Sequence, residues 1–326
     1  MLFQPNPTAS KSAHDIFLRF FPILVVLLLP RIQLQAAAMD TAVEFAVGYD
    51  DNVTLSPVSR NSMFARYQAD LAANFFPDAA PTDIKGYIGA RYQDYFSAGD
   101  NYYVYAGGTV ARPLAEGRLV PELYYEGTVF HDDELPEDSM SAHCLGGRLE
   151  WFPQARLIIG LQQSWCRQDY QNKENPEVPD GPNGRKRQTD QEQSKSRDDR
   201  LSSTGLMLHY SFSPQTDAEI LFTHDRASSS IERESYSENG LALSLFWTPL
   251  DHWLFSGSVG WGKADYDRSP QGVTRRDKTT RFGFEAARMI NQYKLFFRLD
   301  HTDNDSSIAA ETYRNMVTQC GVSCFF

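Results

Sequence analysis

Arginine, lysine and carboxylate side chains recur on one parity of segments whose other parity is apolar. They are Arg66, Lys85, Arg91, Glu122, Glu126, Arg148 and Glu150, then Glu219, Asp225, Arg281, Glu285, Lys294, Arg298 and Asp300. Charges of both signs in a dry core would be very costly, so water is expected to reach them. Two outcomes follow. Opposed charges can line a wet, mildly ion-selective passage, or they can pair across a narrow one and close it. Bond-making chemistry has less support. His143, His209, His224, His252 and His301 are scattered, and no Ser/His/Asp arrangement can be supported by spacing. Asp300, His301, Asp303 and Asp305, and the run His131-Asp132-Asp133-Glu134, carry ligand types for a hard cation such as calcium. They match no complete loop motif and read as solvated loop tips. The chain is therefore expected to be no enzyme, with no cofactor and no resident metal.

The segments that must position these charges alternate with period two. Val43, Phe45, Val47 and Tyr49 alternate with Ala42, Glu44, Ala46 and Gly48, and Met63, Ala65, Tyr67, Ala69 and Leu71 alternate with Phe64, Arg66, Gln68 and Asp70. One set can face acyl chains and the other water. The pattern continues over residues 84–92, 102–110, 119–129, 145–151, 157–165, 206–212, 218–224, 241–247, 253–261, 282–288, 293–301 and 316–326. That makes about 14 strands, an even number, as single-chain outer-membrane barrels require. The chain carries 21 Phe, 16 Tyr and 5 Trp with a net charge of −11. A barrel wall reconciles so many aromatics with so polar a chain, because half of each strand faces lipid. A soluble sandwich or lipocalin-like barrel would not need aromatics at both strand ends. The expected fold is thus all-β, an antiparallel up-and-down transmembrane barrel over residues 39–326.

Residues 1–38 read as a secretory signal peptide. Lys11, His14 and Arg19 precede an apolar run from Phe20 to Leu29, and Gln35-Ala36-Ala37-Ala38 offers a small-residue cleavage site. Four aromatic–proline turns recur, at Phe75-Phe76-Pro77-Asp78, Trp151-Phe152-Pro153-Gln154, Phe212-Ser213-Pro214-Gln215 and Phe246-Trp247-Thr248-Pro249. Proline cannot donate to a ladder, so each is expected where a strand stops. Together with residues 112–117 and 291–292 these are short connections, whereas the segments between them are long and polar, with residues 97–100 alone breaking the pattern. Short turns belong on the periplasmic side and long loops outside, with both termini periplasmic. The longest loop carries Pro176, Pro179, Pro182 and then Arg185-Lys186-Arg187. It reads as a mobile solvated loop or as a lid whose basic cluster chooses anionic solutes.

Cys144 and Cys166 flank the turn at residues 153–156. A register that places Gly147 opposite Gln163 also places Cys144 opposite Cys166, both pointing inward, so a cross-strand disulfide is expected in an oxidising compartment. Cys320 and Cys324 share the lipid face about 13 Å apart, too far to bridge. Met316, Thr318, Cys320, Val322, Cys324 and Phe326 form one face of the last strand. This resembles the C-terminal strand by which bacterial outer-membrane proteins are recognised for insertion, with Phe326 as the terminal signal. A narrower resemblance starts at Val47-Gly48-Tyr49-Asp50-Asp51-Asn52-Val53 and ends in an Asp-rich hairpin before Tyr313-Arg314-Asn315. Those ends look like uncharacterised β-barrel porin families and the barrel domain of surface lipoprotein assembly modifiers. No segment resembles the sites of outer-membrane phospholipases or proteases. The resemblance implies a porin-like barrel in the bacterial outer membrane that passes small hydrophilic solutes. An exporter's outer gate, for a polysaccharide or surface protein, and a structural or adhesive barrel are the alternatives. The implied partners are outer-membrane lipid, lipopolysaccharide, the barrel-assembly machinery and the solutes, with no nucleic acid.

Overall fold

The computed structural model describes residues 38–75, 82–170, 197–231, 234–267 and 274–326. Residues 1–37 of the expected signal peptide, the turn at Pro77 and the Arg185 cluster lie outside the described residues. The strands are β1 (Ala38–Asp50), β2 (Ser62–Asn74), β3 (Asp83–Tyr95), β4 (Asn101–Ala111), β5 (Leu119–Asp132), β6 (Met140–Gln154) and β7 (Leu157–Tyr170). They continue with β8 (Asp198–Ser213), β9 (Thr216–Ser229), β10 (Tyr236–Trp247), β11 (Trp253–Tyr266), β12 (Arg276–Ile290), β13 (Tyr293–Ser306) and β14 (Tyr313–Phe325). Each pairs antiparallel with the next, and β14 pairs with β1, so the sheet closes into a 14-strand barrel.

The seam shows why the last residues matter. Pairing runs from Ala42 opposite Phe325 to Asp50 opposite Val317. Beyond it the Phe326 amide donates to the Thr41 carbonyl at 2.9 Å, and the Thr41 amide returns a bond to Phe326 at 3.3 Å. Closure leaves no unpaired edge, which a lipid environment would not tolerate.

The two faces divide as alternation requires. Phe45, Val47 and Tyr49 on β1, Leu206, Leu208 and Tyr210 on β8 and Leu295 and Phe297 on β13 are exposed outward. Their partners in the alternation, including Ala46, Phe64, Ala287 and Phe296, are buried on the inner side.

The strands reach further than the alternation indicates, chiefly at the long-loop end. β8 begins at Asp198, not at residue 206, and β12 at Arg276, not at 282. Above the apolar belt both faces are polar, so the backbone ladder continues where no hydrophobic period marks it. With lengths from 11 to 16 residues, several residues of most strands project past the roughly 9–11 that cross a bilayer. Pro153 also departs from its expected place. It lies within the end of β6, at a register shift between Trp151 and Gln154, where a bulge removes the need for its missing donor.

Candidate functional site: the lumen wall

On the side formed by β12, β13, β14, β1 and β2, the inward charges join in one network. Glu44 accepts from Arg66 at 2.7 Å, from Arg298 at 3.1 Å and from Ser323 at 2.9 Å. Arg298 also bonds Glu285, which Lys294 reaches at 2.6 Å. The Arg298 guanidinium lies 4.1 Å from the centroid of Phe296, so one face of it is covered by an aromatic ring. The side chains of Glu44 and Arg66 are only 13% and 12% exposed, so loss of Glu44 would leave a largely desolvated guanidinium without its ion partner. A recess of about 250 Å³ opens beside this network, lined in part by Ser256, Ser258, Glu285, Arg298 and Asp300.

The wall of β2 to β6 is organised differently. Tyr105 donates to Asp70, and Tyr87 donates to Glu126 at 3.0 Å. Gly89 and Gly146 face inward beneath rings from the next strand: a side chain at Gly89 would collide with Tyr105 and Asp70, and one at Gly146 with Tyr124. The missing Cβ lets each ring lie against the sheet, where it covers exposed backbone. Arg91 stands 5.5 Å from the centroid of Tyr103. Its Nε, like that of Arg66, is buried with no hydrogen-bond partner among the described residues.

The remaining candidates sit on the same inner face but do not converge. Lys85 pairs with Asp83 at 2.9 Å, and Arg148 with Glu150 at 3.0 Å. Glu122 is opposite Arg148 in the register, Glu219 and Asp225 face inward from β9, and Arg281 forms no ion pair among the described residues. Sequence reasoning does not single out Glu44 or Asp70, although both fall on the polar parity. It also passes over Tyr87 and Tyr105, because tyrosine reads as a lipid-facing residue. The hydrogen bonds and pairs named here lie within one strand or join neighbouring strands or strands two apart, so they run along the wall.

At the long-loop end, Cys144 and Cys166 face each other in the β6–β7 register and are joined by a disulfide, with Cα atoms 4.1 Å apart. Cys320 and Cys324 are free. The acidic runs hold turns instead of converging on a cation. Asp132 accepts the amides of Glu134 and Leu135, at 2.8 and 2.9 Å, and Glu134 pairs with Arg60. Asp303 and Asp305 are not loop tips, since both lie in β13, on the outward parity opposite to Asp300. Among the described residues no three His, Cys, Asp or Glu side chains are grouped to hold a metal. Burial, with Glu137 beside it, raises the Asp138 carboxyl above the usual carboxylate range.

The rim also repeats itself, which sequence reasoning missed. Arg197 bonds Asp199 and lies 4.2 Å from the Tyr170 ring centroid, and Arg275 does the same with Asp277 and Tyr266, again at 4.2 Å. The Ser229 amide donates to Ser235 at 3.0 Å, as the Ser306 amide donates to Thr312 at 3.1 Å. The signals are Arg-x-Asp at 197–199 and 275–277 and Ser-Ser-Ile at 229–231 and 306–308. Each device recurs four strands on, so successive hairpin tips alternate between two designs.

No protein-family model matches the sequence, and no curated protein does either. Among solved structures, a bacterial polysaccharide outer membrane secretin is similar with a TM-score of 0.51 at 11% identity, over 88% of this chain and 98% of that one. OmpT, an outer membrane protein of Vibrio cholerae, in its trimer form, has a TM-score of 0.49 at 8% identity, covering 89% and 100% of the two chains. The anion-selective porin from Comamonas acidovorans has a TM-score of 0.46 at 9% identity, covering 89% and 99%. Such identities bear on the fold alone. With its closed antiparallel sheet, apolar outer belt and charged inner face, the chain has the fold of an outer-membrane β-barrel.

Proposed function

We propose that this barrel sits in a bacterial outer membrane and passes small hydrophilic solutes by passive diffusion. The long-loop end faces outward and both barrel termini face the periplasm, following the turn and loop lengths. The observation that carries the reading is the direction of the inner pairs. Glu44, Arg66, Glu285 and Arg298 bond along the wall and not toward an opposite wall, which favours a wet passage over a charge-sealed one. The rings over Gly89 and Gly146 act in the same sense, because a ring lying on the sheet takes little of the cross-section.

Planar-bilayer recording of the purified, folded protein tests this directly. Stepwise insertion of ohmic channels in potassium chloride is the expected result. A protein that shifts on a gel as a folded barrel yet passes no ions at any voltage would end the diffusion reading.

A further inference from the structure

The outward face of β7 to β9 gathers cations at the upper edge of the apolar belt. Arg167 and Arg200 are direct partners in the β7–β8 register, and His143 is the partner of Arg167 on β6. Arg226 faces Ser202 one step lower on β9. Like charges directly opposite on one sheet face repel, and nothing in strand pairing repays that. Asp169 and Asp198 partly neutralise Arg167 from above, at 3.2 and 3.0 Å. Neither Arg200 nor Arg226 has an ion-pair partner among the described residues, and both are exposed. Another cationic pair on the outer face, Lys263 opposite Lys278, has Asp265 at 3.4 Å from Lys263 and Asp305 opposite Lys278.

Below His143 and Arg167 the wall becomes apolar, whereas Ser202 and Thr204 below Arg200 and His224 below Arg226 keep β8 and β9 polar for a further step. Leu145 and Trp165 are each 57% exposed, two residues from His143 and Arg167, a step of about 7 Å along the strand. Arginines, leucine and tryptophan together line one groove of about 510 Å³, into which Tyr125 and His143, hydrogen-bonded at 2.7 Å, also project. Tryptophan marks a membrane–water boundary, so the groove spans it, with cations on the water side and apolar surface on the acyl side.

We infer that this groove binds the phosphorylated head of an acylated glycolipid of the lipopolysaccharide type, with Arg200 and Arg226 on the phosphate and acyl chains against Trp165 and Leu145. Guanidinium groups suit phosphate by bidentate, charge-assisted bonds. The outer leaflet is the source because the site is at the long-loop end, so the inference rests on the orientation given above. It does not depend on what crosses the lumen.

Native mass spectrometry of the detergent-solubilised folded protein, titrated with diphosphoryl lipid A, tests the site. The wild type should hold one copy, and R200A/R226A should lose affinity on the order of tenfold for each arginine. R200K/R226K should recover part of it, and the conductance of all three should be alike. Equal retention by the wild type and R200A/R226A would overturn the inference, as would equal retention of dephosphorylated lipid A by the wild type. The second comparison stands even if the double variant does not fold. Inorganic phosphate displacing the lipid at millimolar concentration would mean a free-anion site, which also overturns it. A protein that kept the lipid but passed no ions would sink the channel reading alone.

Discussion

The two inner walls of this barrel solve one problem in two ways. Between β12 and β2, five ionised side chains from four strands neutralise one another around Arg298, which holds Glu44 and Glu285 together. Between β2 and β6, carboxylates are held by tyrosine hydroxyls, and the rings rest over glycines. In the first wall, removing Glu44 leaves Arg66 without an ion partner among the described residues, and removing Arg298 cuts the network in two. In the second, the carboxylates keep their charge whatever happens to the phenols. The ion-pair wall should therefore govern stability, and the tyrosine wall should govern the field that solutes meet.

Breaking the first wall should give the largest effect. Arg298→Ala splits the network, leaving Glu44 to Arg66 and Ser323 and Glu285 to Lys294, and the lost charge-assisted bonds cost about 2 kcal/mol. Urea unfolding in liposomes should show the loss, and the reversal potential in a salt gradient should move toward cation selectivity. A variant as stable as the wild type would mean that the network is fully solvated and the contrast between the walls is false.

The second wall is probed by Gly146→Val. Its side chain would occupy the space of the Tyr124 ring and drive the ring toward the axis. Overpacking of this kind costs about 1–3 kcal/mol, and single-channel conductance should fall. Unchanged conductance would show that the ring has room elsewhere on the wall. Smallest is Tyr105→Phe, which deletes the bond to Asp70 at a cost of about 1 kcal/mol. Since the carboxylate remains charged, selectivity should hold within error while the unfolding midpoint drops slightly. A large change in selectivity instead would show that the phenol, and not Asp70, sets the local field.

Legibility followed the apolar belt. Where one face touches lipid, as along Leu206, Leu208 and Tyr210, alternation fixes both the strand and which way its charges point. At residues 198–205 and 276–281 that demand is absent, and the strands extend unseen. Cys144 and Cys166 were readable as a pair because one turn sets the register of β6 and β7. Arg298 and Glu44 were not, because their strands are far apart in the chain and meet only across the seam at β14.

The sequence by itself determined a sheet of alternating strands and the parity of its inward charges, since each depends on local period and turn length. Only the tertiary structure decided which charges meet, that they bond along the wall, and that Arg200 and Arg226 stand side by side on the outside. Those facts depend on register between strands and on closure, which no local pattern encodes.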